Sequence, residues 1–163
     1  MGEVRLEVRL AVAPDRLWRE VCTLDGVNRE LAPLLRMTVP PGLEGATFDA
    51  LHPGDPAGRS WLLLAGLVPV EYDDLRLVEI EPGRFLERSR MLTIDPWEHD
   101  RSVVAAGSGS LLRDRLRFEL RRPLALLPGA DRLARALVGA IFRHRHRRLA
   151  KLYGRPTERS EHE

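Results

Sequence analysis

The chain has 163 residues, enough for one domain with a substantial core, and its 44% hydrophobic and 31% charged residues are typical of a soluble globular protein. Its net charge of +2 gives no general reason to expect nucleic-acid binding, and its single cysteine, Cys22, excludes an intrachain disulfide and a cysteine-rich metal site. No apolar run reaches the length of a membrane span and no secretion-signal pattern opens the chain, so the sequence predicts a cytoplasmic protein.

The N-terminal region predicts one strand followed by two short helices. Residues 3–12 alternate strictly between apolar and charged side chains, which is typical of a half-buried strand. Pro14 stands at a favourable first helical position, and the apolar spacing that follows predicts a helix over about 14–24. A second helix is expected after Asp25-Gly26, with Pro33 in its last turn.

Closely spaced prolines and glycines divide the next segment, so only short strands fit there, at 36–39 and 45–50. The apolar run from Trp61 to Val70 is consistent with either a buried strand or a helical turn that leads into a bend.

A run of antiparallel strands is predicted from Glu71 onward. Turns are expected at Glu81-Pro82-Gly83-Arg84, at Asp95-Pro96 and in the Gly/Ser cluster at 107–110. The predicted strands are 71–81, 84–94, 97–106 and 111–121.

One long amphipathic helix is predicted over 130–152, because apolar residues recur there at intervals of three and four. Gly154 and Pro156 end it. The sequence therefore predicts a single domain over 1–154, followed by a polar C-terminal tail at 155–163.

Polar side chains lie on the predicted buried faces of three consecutive strands. Side chains in a strand alternate between faces, so residues two apart share a side. The outward positions of the last strand are all charged, which leaves Asp114 as the exception on its apolar face. Either Asp114 contributes to a pocket, or it lies where the strand end frays or caps a turn. The inward residues of the three strands are Phe85, Glu87, Ser89, Met91, Trp97, His99, Arg101, Asp114 and Phe118.

Turns centred near residue 96 and residues 108–109 would bring Arg101 within diagonal reach of both Ser89 and Asp114. The sequence therefore predicts a buried Arg101–Asp114 pair. A slip of one residue in a turn would move a whole strand face to the other side of the sheet.

Two interpretations of this set remain open. A carboxylate held by a guanidinium, an imidazole and aromatic walls would suit a largely hydrophobic ligand with one or two polar groups. Alternatively, Arg101, Asp114 and Glu87 neutralise one another in a purely structural network.

The basic run Arg143-His144-Arg145-His146-Arg147-Arg148 is interpreted as a solvated helix end near the negative pole of the helix dipole. A phosphate-binding patch is the alternative. Two histidines two residues apart on a helix point in nearly opposite directions, so the run predicts no metal site.

The order of a strand, two short helices, an antiparallel run and a long C-terminal helix resembles the START/SRPBCC superfamily. The stretches Phe85-x-Glu87-x-Ser89-x-Met91, Trp97-x-His99-x-Arg101, Asp114-x-Leu116-x-Phe118 and Phe142 to Leu149 resemble a bacterial polyketide cyclase-like, ligand-binding subgroup. The resemblance implies an α+β helix-grip fold, in which a curved antiparallel sheet of about seven strands wraps around the long helix. It also implies a cavity between sheet and helix.

The functional prediction is binding of a hydrophobic or amphipathic small molecule, such as a lipid or a polyketide-like compound, at the nine inward residues. The alternative is a cyclase or dehydratase that uses His99 as general acid or base with a carboxylate such as Asp114 as its partner. The sequence predicts no cofactor, no metal, no nucleic-acid partner and no membrane span, and it leaves the oligomeric state open.

Overall fold

The computed structural model describes residues 1–157 and shows a seven-stranded antiparallel sheet with three α-helices. The sheet curls into a half-barrel and the longest helix is C-terminal, which confirms the predicted helix-grip fold. The last six positions of the predicted tail, 158–163, lie outside the described residues. The elements in chain order are β1 (Gly2–Leu10), α1 (Pro14–Val21), α2 (Leu24–Leu31), β2 (Leu35–Met37), β3 (Pro56–Leu64), β4 (Val68–Glu81), β5 (Arg84–Met91), β6 (Ile94–Ala106), β7 (Gly109–Leu120) and α3 (Ala130–Tyr153).

The two short helices are present, but α2 begins and ends earlier than the sequence predicts. Thr23 caps it, since its hydroxyl accepts a hydrogen bond from the Gly26 backbone N–H at 2.9 Å. The helix ends at Leu31, so the prediction of Pro33 in its last turn is wrong. The residue before a proline is disfavoured in helical conformation, which explains the early stop.

Two predictions for the segment between α2 and β4 are corrected. Residues 45–50 contain no strand but a short 3₁₀ turn, Phe48–Ala50, which buries the Phe48 ring. The Trp61–Val70 run is strand, turn and strand, and much of it is exposed, including Trp61 at 40%. The hairpin of β3 and β4 lies near one edge of the sheet. Beyond β3, this edge has only the three-residue strand β2.

The remaining strands match the predicted meander, although one turn is displaced. The turn between β4 and β5 lies at Pro82-Gly83 as expected, with Gly83 at a φ of 80° that favours glycine. The predicted break at Asp95-Pro96 is wrong, because β6 already begins at Ile94 and absorbs Pro96 in an irregularity between Ile94 and Trp97.

The register of β5 on β6 therefore differs from the predicted one. Ser89 pairs with Trp97 and Glu87 pairs with His99, so Ser89 does not meet Arg101. On the other side of β6, Arg101 lies directly opposite Asp114. The inward faces are nevertheless those that the alternation predicts, because the displacement preserves the period of two.

The helix α3 packs across the sheet against β1 and α2, and the core divides into two clusters. One cluster joins β1, α1 and α2 to the end of α3 around Leu10, Leu17 and Leu149. The other surrounds Trp97, Phe118 and Phe142. Buried Cys22 belongs to the first cluster, and burial raises the pKa of its thiol to about 12.

Candidate ligand-binding site

A network of buried charged side chains centres on Arg101, which is 0% exposed. Its guanidinium donates hydrogen bonds to two carboxylates. Toward Asp114, Nε donates to Oδ1 at 2.7 Å and an Nη donates to Oδ2 at 2.9 Å. Toward Glu30 on α2, the two Nη groups donate to Oε1 at 2.8 Å and to Oε2 at 3.0 Å. The predicted Arg101–Asp114 pair is confirmed, and Arg101 additionally joins the sheet to α2.

Asp114 also contacts two histidines, one on β6 and one on α3. His99 Nε2 lies 2.7 Å from Oδ1, and His146 Nε2 on α3 lies 2.7 Å from Oδ2. Burial alone would raise the pKa of Asp114, but Arg101 and hydrogen bonds from His146 and His99 lower it well below its ordinary value. Asp114 is therefore an anion that holds β6, β7 and α3 together.

Glu30 ties the two helices to the sheet. Arg145 on α3 donates from Nε to its Oε2 at 2.8 Å, while Arg101 holds both of its oxygens from the other side. Burial opposes ionisation of Glu30, yet the two arginines lower its pKa below the ordinary value. Burial lowers the pKa of Arg145 despite its contact with Glu30.

A second acidic group lies on β5 and β4. Glu87 accepts a hydrogen bond from the Ser89 hydroxyl at 2.8 Å, and its Oε2 lies 3.5 Å from Nδ1 of His99. Burial would raise the pKa of Glu87, but the neighbouring His99 ring makes the pKa lower than usual. Asp73 on the neighbouring β4 lies beside Glu87. Burial and the Glu87 charge together raise the pKa of Asp73 well above its ordinary value.

A cavity of about 480 Å³ lies between the sheet and α3, beside this network. Its walls are mostly aliphatic and aromatic, and the polar groups on them are few. Leu133 and Leu137 on α3 belong to the lining and are more than half exposed, so the cavity is open to solvent along the first half of that helix. The polar lining residues are Glu71, Asp73, Glu87, Thr93, His99 and Arg145.

The structure separates the nine predicted site residues into two groups. The first borders the cavity directly and consists of Phe85, Glu87, Met91, Trp97 and His99. The second lies behind that wall in the described structure and consists of Ser89, Arg101, Asp114 and Phe118. Arg101 and Asp114 therefore position His99 and α3 rather than face the cavity.

The interpretation of the basic run as a solvated helix end is wrong for its central residues. Arg145 and His146 are each 6% exposed and enter the network, and His144 Nε2 lies 2.9 Å from the Ala32 carbonyl oxygen. Arg143 and Arg147 do face solvent. The burial follows from the helical period, because Phe142, Arg145, His146 and Leu149 share one stripe of α3.

Sequence reasoning also missed Glu30 and Asp73. Glu30 follows Val27 by three residues and so lies on the buried face of α2, a signal that was available in the apolar spacing. Asp73 alternates with Leu75 and Leu77 on β4 and so shares their inward face. Their partners, however, come from distant parts of the chain, and only the fold brings these together.

Comparison with known proteins gives a family but no activity. Residues 8–153 match the model of a family described as a domain of unknown function, DUF8410. The chain belongs to this family. No curated protein matches it.

Solved structures share the fold of this DUF8410 member at low identity. Protein CV1439 from Chromobacterium violaceum is 14% identical, with a TM-score of 0.67 over 94% of this chain and 98% of that one. A START superfamily protein from Mycobacterium smegmatis is also 14% identical, with a TM-score of 0.65 over 94% and 97%. DynU16, from the dynemicin biosynthetic locus, is 14% identical with a TM-score of 0.57 over 94% of this chain and 49% of that one. The fold is thus START-like.

Residues 1–157 include no helix that is both long and apolar enough to cross a membrane.

The Asp114→Asn substitution should reduce the dependence of stability on acid pH. Because the folded-state pKa of Asp114 lies below its ordinary value of 3.8, the ionised group stabilises the fold above that pH, and this contribution is lost as the pH falls through the folded-state pKa. Below pH 3.8, the free energy of unfolding should decrease with falling pH more steeply in the wild type than in the variant. We expect the two slopes to differ by at most about 1.4 kcal/mol per pH unit.

Urea denaturation at a series of pH values measures both slopes. The same substitution at the exposed Asp55 should leave the slope unchanged. Equal acid slopes in the wild type and Asp114→Asn would contradict the assignment of Asp114 as a stabilising anion.

Proposed function

We propose that this protein binds one hydrophobic or amphipathic small molecule in the cavity between the sheet and α3. The observation that carries the proposal is the cavity itself, since about 480 Å³ lies within the range of small-molecule sites. Apolar walls supply affinity through the area that they remove from water. The START-like fold supports the proposal by analogy only.

The polar groups at the sheet end of the cavity would orient the ligand. Glu87 and His99 border the cavity and are held in place by Ser89 and Asp114 behind them. Positions fixed in this way favour one ligand orientation over others, because rearranging them would leave buried charges without partners. Phe85, Met91 and Trp97 would contact the apolar body of the ligand.

Enzymatic use of His99 is the second candidate, and the presence of its ring in the cavity wall favours it. Both ring nitrogens, however, already face carboxylates, Nδ1 toward Glu87 and Nε2 toward Asp114. A general acid or base needs a nitrogen within hydrogen-bond reach of the substrate. The geometry therefore supports a binding role more strongly than proton transfer by His99.

Titration with Nile red, a neutral dye whose fluorescence rises in apolar surroundings, tests the proposal. We expect saturable binding of one dye per chain and displacement by medium-length aliphatic molecules. A fluorescence rise that never saturates, or one that aliphatic competitors do not reverse, would contradict binding in a defined cavity.

A further inference from the structure

Asp73 is a buried acidic residue of the cavity wall that forms no ion pair within residues 1–157. It is 3% exposed, it borders the cavity, and its Oδ1 receives no hydrogen bond from any N–H or O–H group within residues 1–157. An ionised carboxylate in such a place would bear the full cost of desolvation. The neutral acid avoids that cost.

Asp73 and Glu87 lie side by side, so a proton on Asp73 can be donated to Glu87. Two carboxyl groups can form a hydrogen bond only if one of them is protonated. Glu87 is the better anion, since Ser89 donates to it at 2.8 Å and His99 lies beside its other oxygen. The proton therefore resides on Asp73, in agreement with the raised pKa of Asp73 and the lowered pKa of Glu87.

The charges of the network agree with this assignment. In the described part of the chain, the buried arginines Arg101 and Arg145 face the buried anions Glu30, Glu87 and Asp114. That set already has one more anion than it has arginines. A fourth anion at Asp73 would have no cation to balance it.

A neutral acid that donates its proton to Glu87 has one oxygen left as a pure acceptor. A buried acceptor oxygen without a hydrogen-bond donor is energetically unfavourable, and a ligand that supplies the donor removes this cost. The hydroxyl of Ser89 donates to Glu87 at 2.8 Å and forms no hydrogen bond with Oδ1 of Asp73. The neighbouring acids, in turn, disfavour an anionic ligand at this end of the cavity.

We propose that Asp73 is a neutral carboxylic acid in the cavity wall and accepts a hydrogen bond from the hydroxyl group of an uncharged, otherwise apolar ligand. The inference rests on the proposed binding function and narrows the ligand class to alcohols or phenols with an apolar body. Arg145 also borders the cavity, where its Nε is bonded to Glu30.

Four ten-carbon probes that displace Nile red test this assignment at neutral pH: 1-decanol, 2-decanone, decylamine and decanoate. The alcohol and the ketone have equal carbon counts, but only the alcohol donates a hydrogen bond. We expect 1-decanol to bind about tenfold more tightly than 2-decanone, which corresponds to about one well-formed hydrogen bond. Both neutral probes should bind more tightly than the amine and the carboxylate.

Two variants at Asp73 separate the proposed role from a merely structural one. In Asp73→Asn the amide N–H can donate to Glu87 while the amide oxygen still accepts from the ligand, so the preference for 1-decanol should persist. In Asp73→Val no acceptor remains, and the ratio of the two affinities should fall to about one. Nile red binding by each variant verifies that the cavity is intact.

Equal affinities of the alcohol and the ketone in the wild type would overturn the inference, as would an unchanged preference in Asp73→Val. Tightest binding of decylamine, lost in Asp73→Asn, would show that Asp73 is an anion that pairs with a cationic ligand. Tightest binding of decanoate would also overturn it. If neither the dye nor any probe binds the wild type, the proposed function itself fails, whereas binding without discrimination removes only the role of Asp73.

Discussion

The Arg101→Met substitution should lower the free energy of unfolding by about 3–5 kcal/mol, the typical cost of removing one partner from a buried ion pair. Methionine has a similar length but leaves Glu30 without its bidentate partner and leaves Asp114 with only histidines. The loss comes mainly from carboxylates that stay buried without compensation, not from lost packing.

Urea denaturation followed by circular dichroism measures the change, with the midpoint and slope both recorded. Arg88→Met on β5 is the matched control, because Arg88 forms a 3.0 Å pair with Glu98 on the outer face and is 59% exposed. Exposed pairs contribute about 0–1 kcal/mol, so the control should be nearly neutral. Equal, small effects of both substitutions would show that the network does not hold α2 to the sheet.

The Ala134→Trp substitution should reduce Nile red affinity by at least about tenfold while leaving the fold intact. Ala134 is partly buried on α3 and borders the cavity, so an indole at this position would extend into the cavity. The ligand and the indole would then compete for the same volume. A tenfold loss corresponds to about 1.4 kcal/mol of binding free energy.

Ala136→Trp is the control for this prediction, since Ala136 lies two residues further along α3 on an exposed side. Its indole projects into solvent, and we expect unchanged dye affinity. Thermal unfolding of both variants checks that neither loses the fold. Undiminished binding by Ala134→Trp would place the dye outside the cavity between the sheet and α3.

Alternation along the strands was sufficient to predict which side chains face inward. The charged outward positions of β7 identify Asp114 as an inward residue, and the same period of two identifies Glu87, His99 and Arg101. All four are buried. These assignments hold although one turn is displaced, because the displacement leaves each side chain on the same face of its strand.

The sequence alone does not predict contacts that depend on strand register or on the docking of helices. The β5–β6 turn lies near residue 93 because β6 continues through Pro96, which places Glu87 beside His99 and moves Ser89 out of the predicted reach of Arg101. The polar character of Arg145 and His146 predicts solvated positions, although both residues lie on the buried stripe of α3. Glu30 pairs with Arg101 across 71 residues of chain, and no local pattern reports such a pairing.

Native mass spectrometry of the purified protein titrated with 1-decanol tests the binding of one ligand in the cavity most directly. We predict a single adduct that saturates at one molecule per chain in the wild type and in Ala136→Trp, and that is strongly reduced in Ala134→Trp. Absence of any adduct, or several weak adducts of equal abundance in all three proteins, would contradict a ligand site between the sheet and α3.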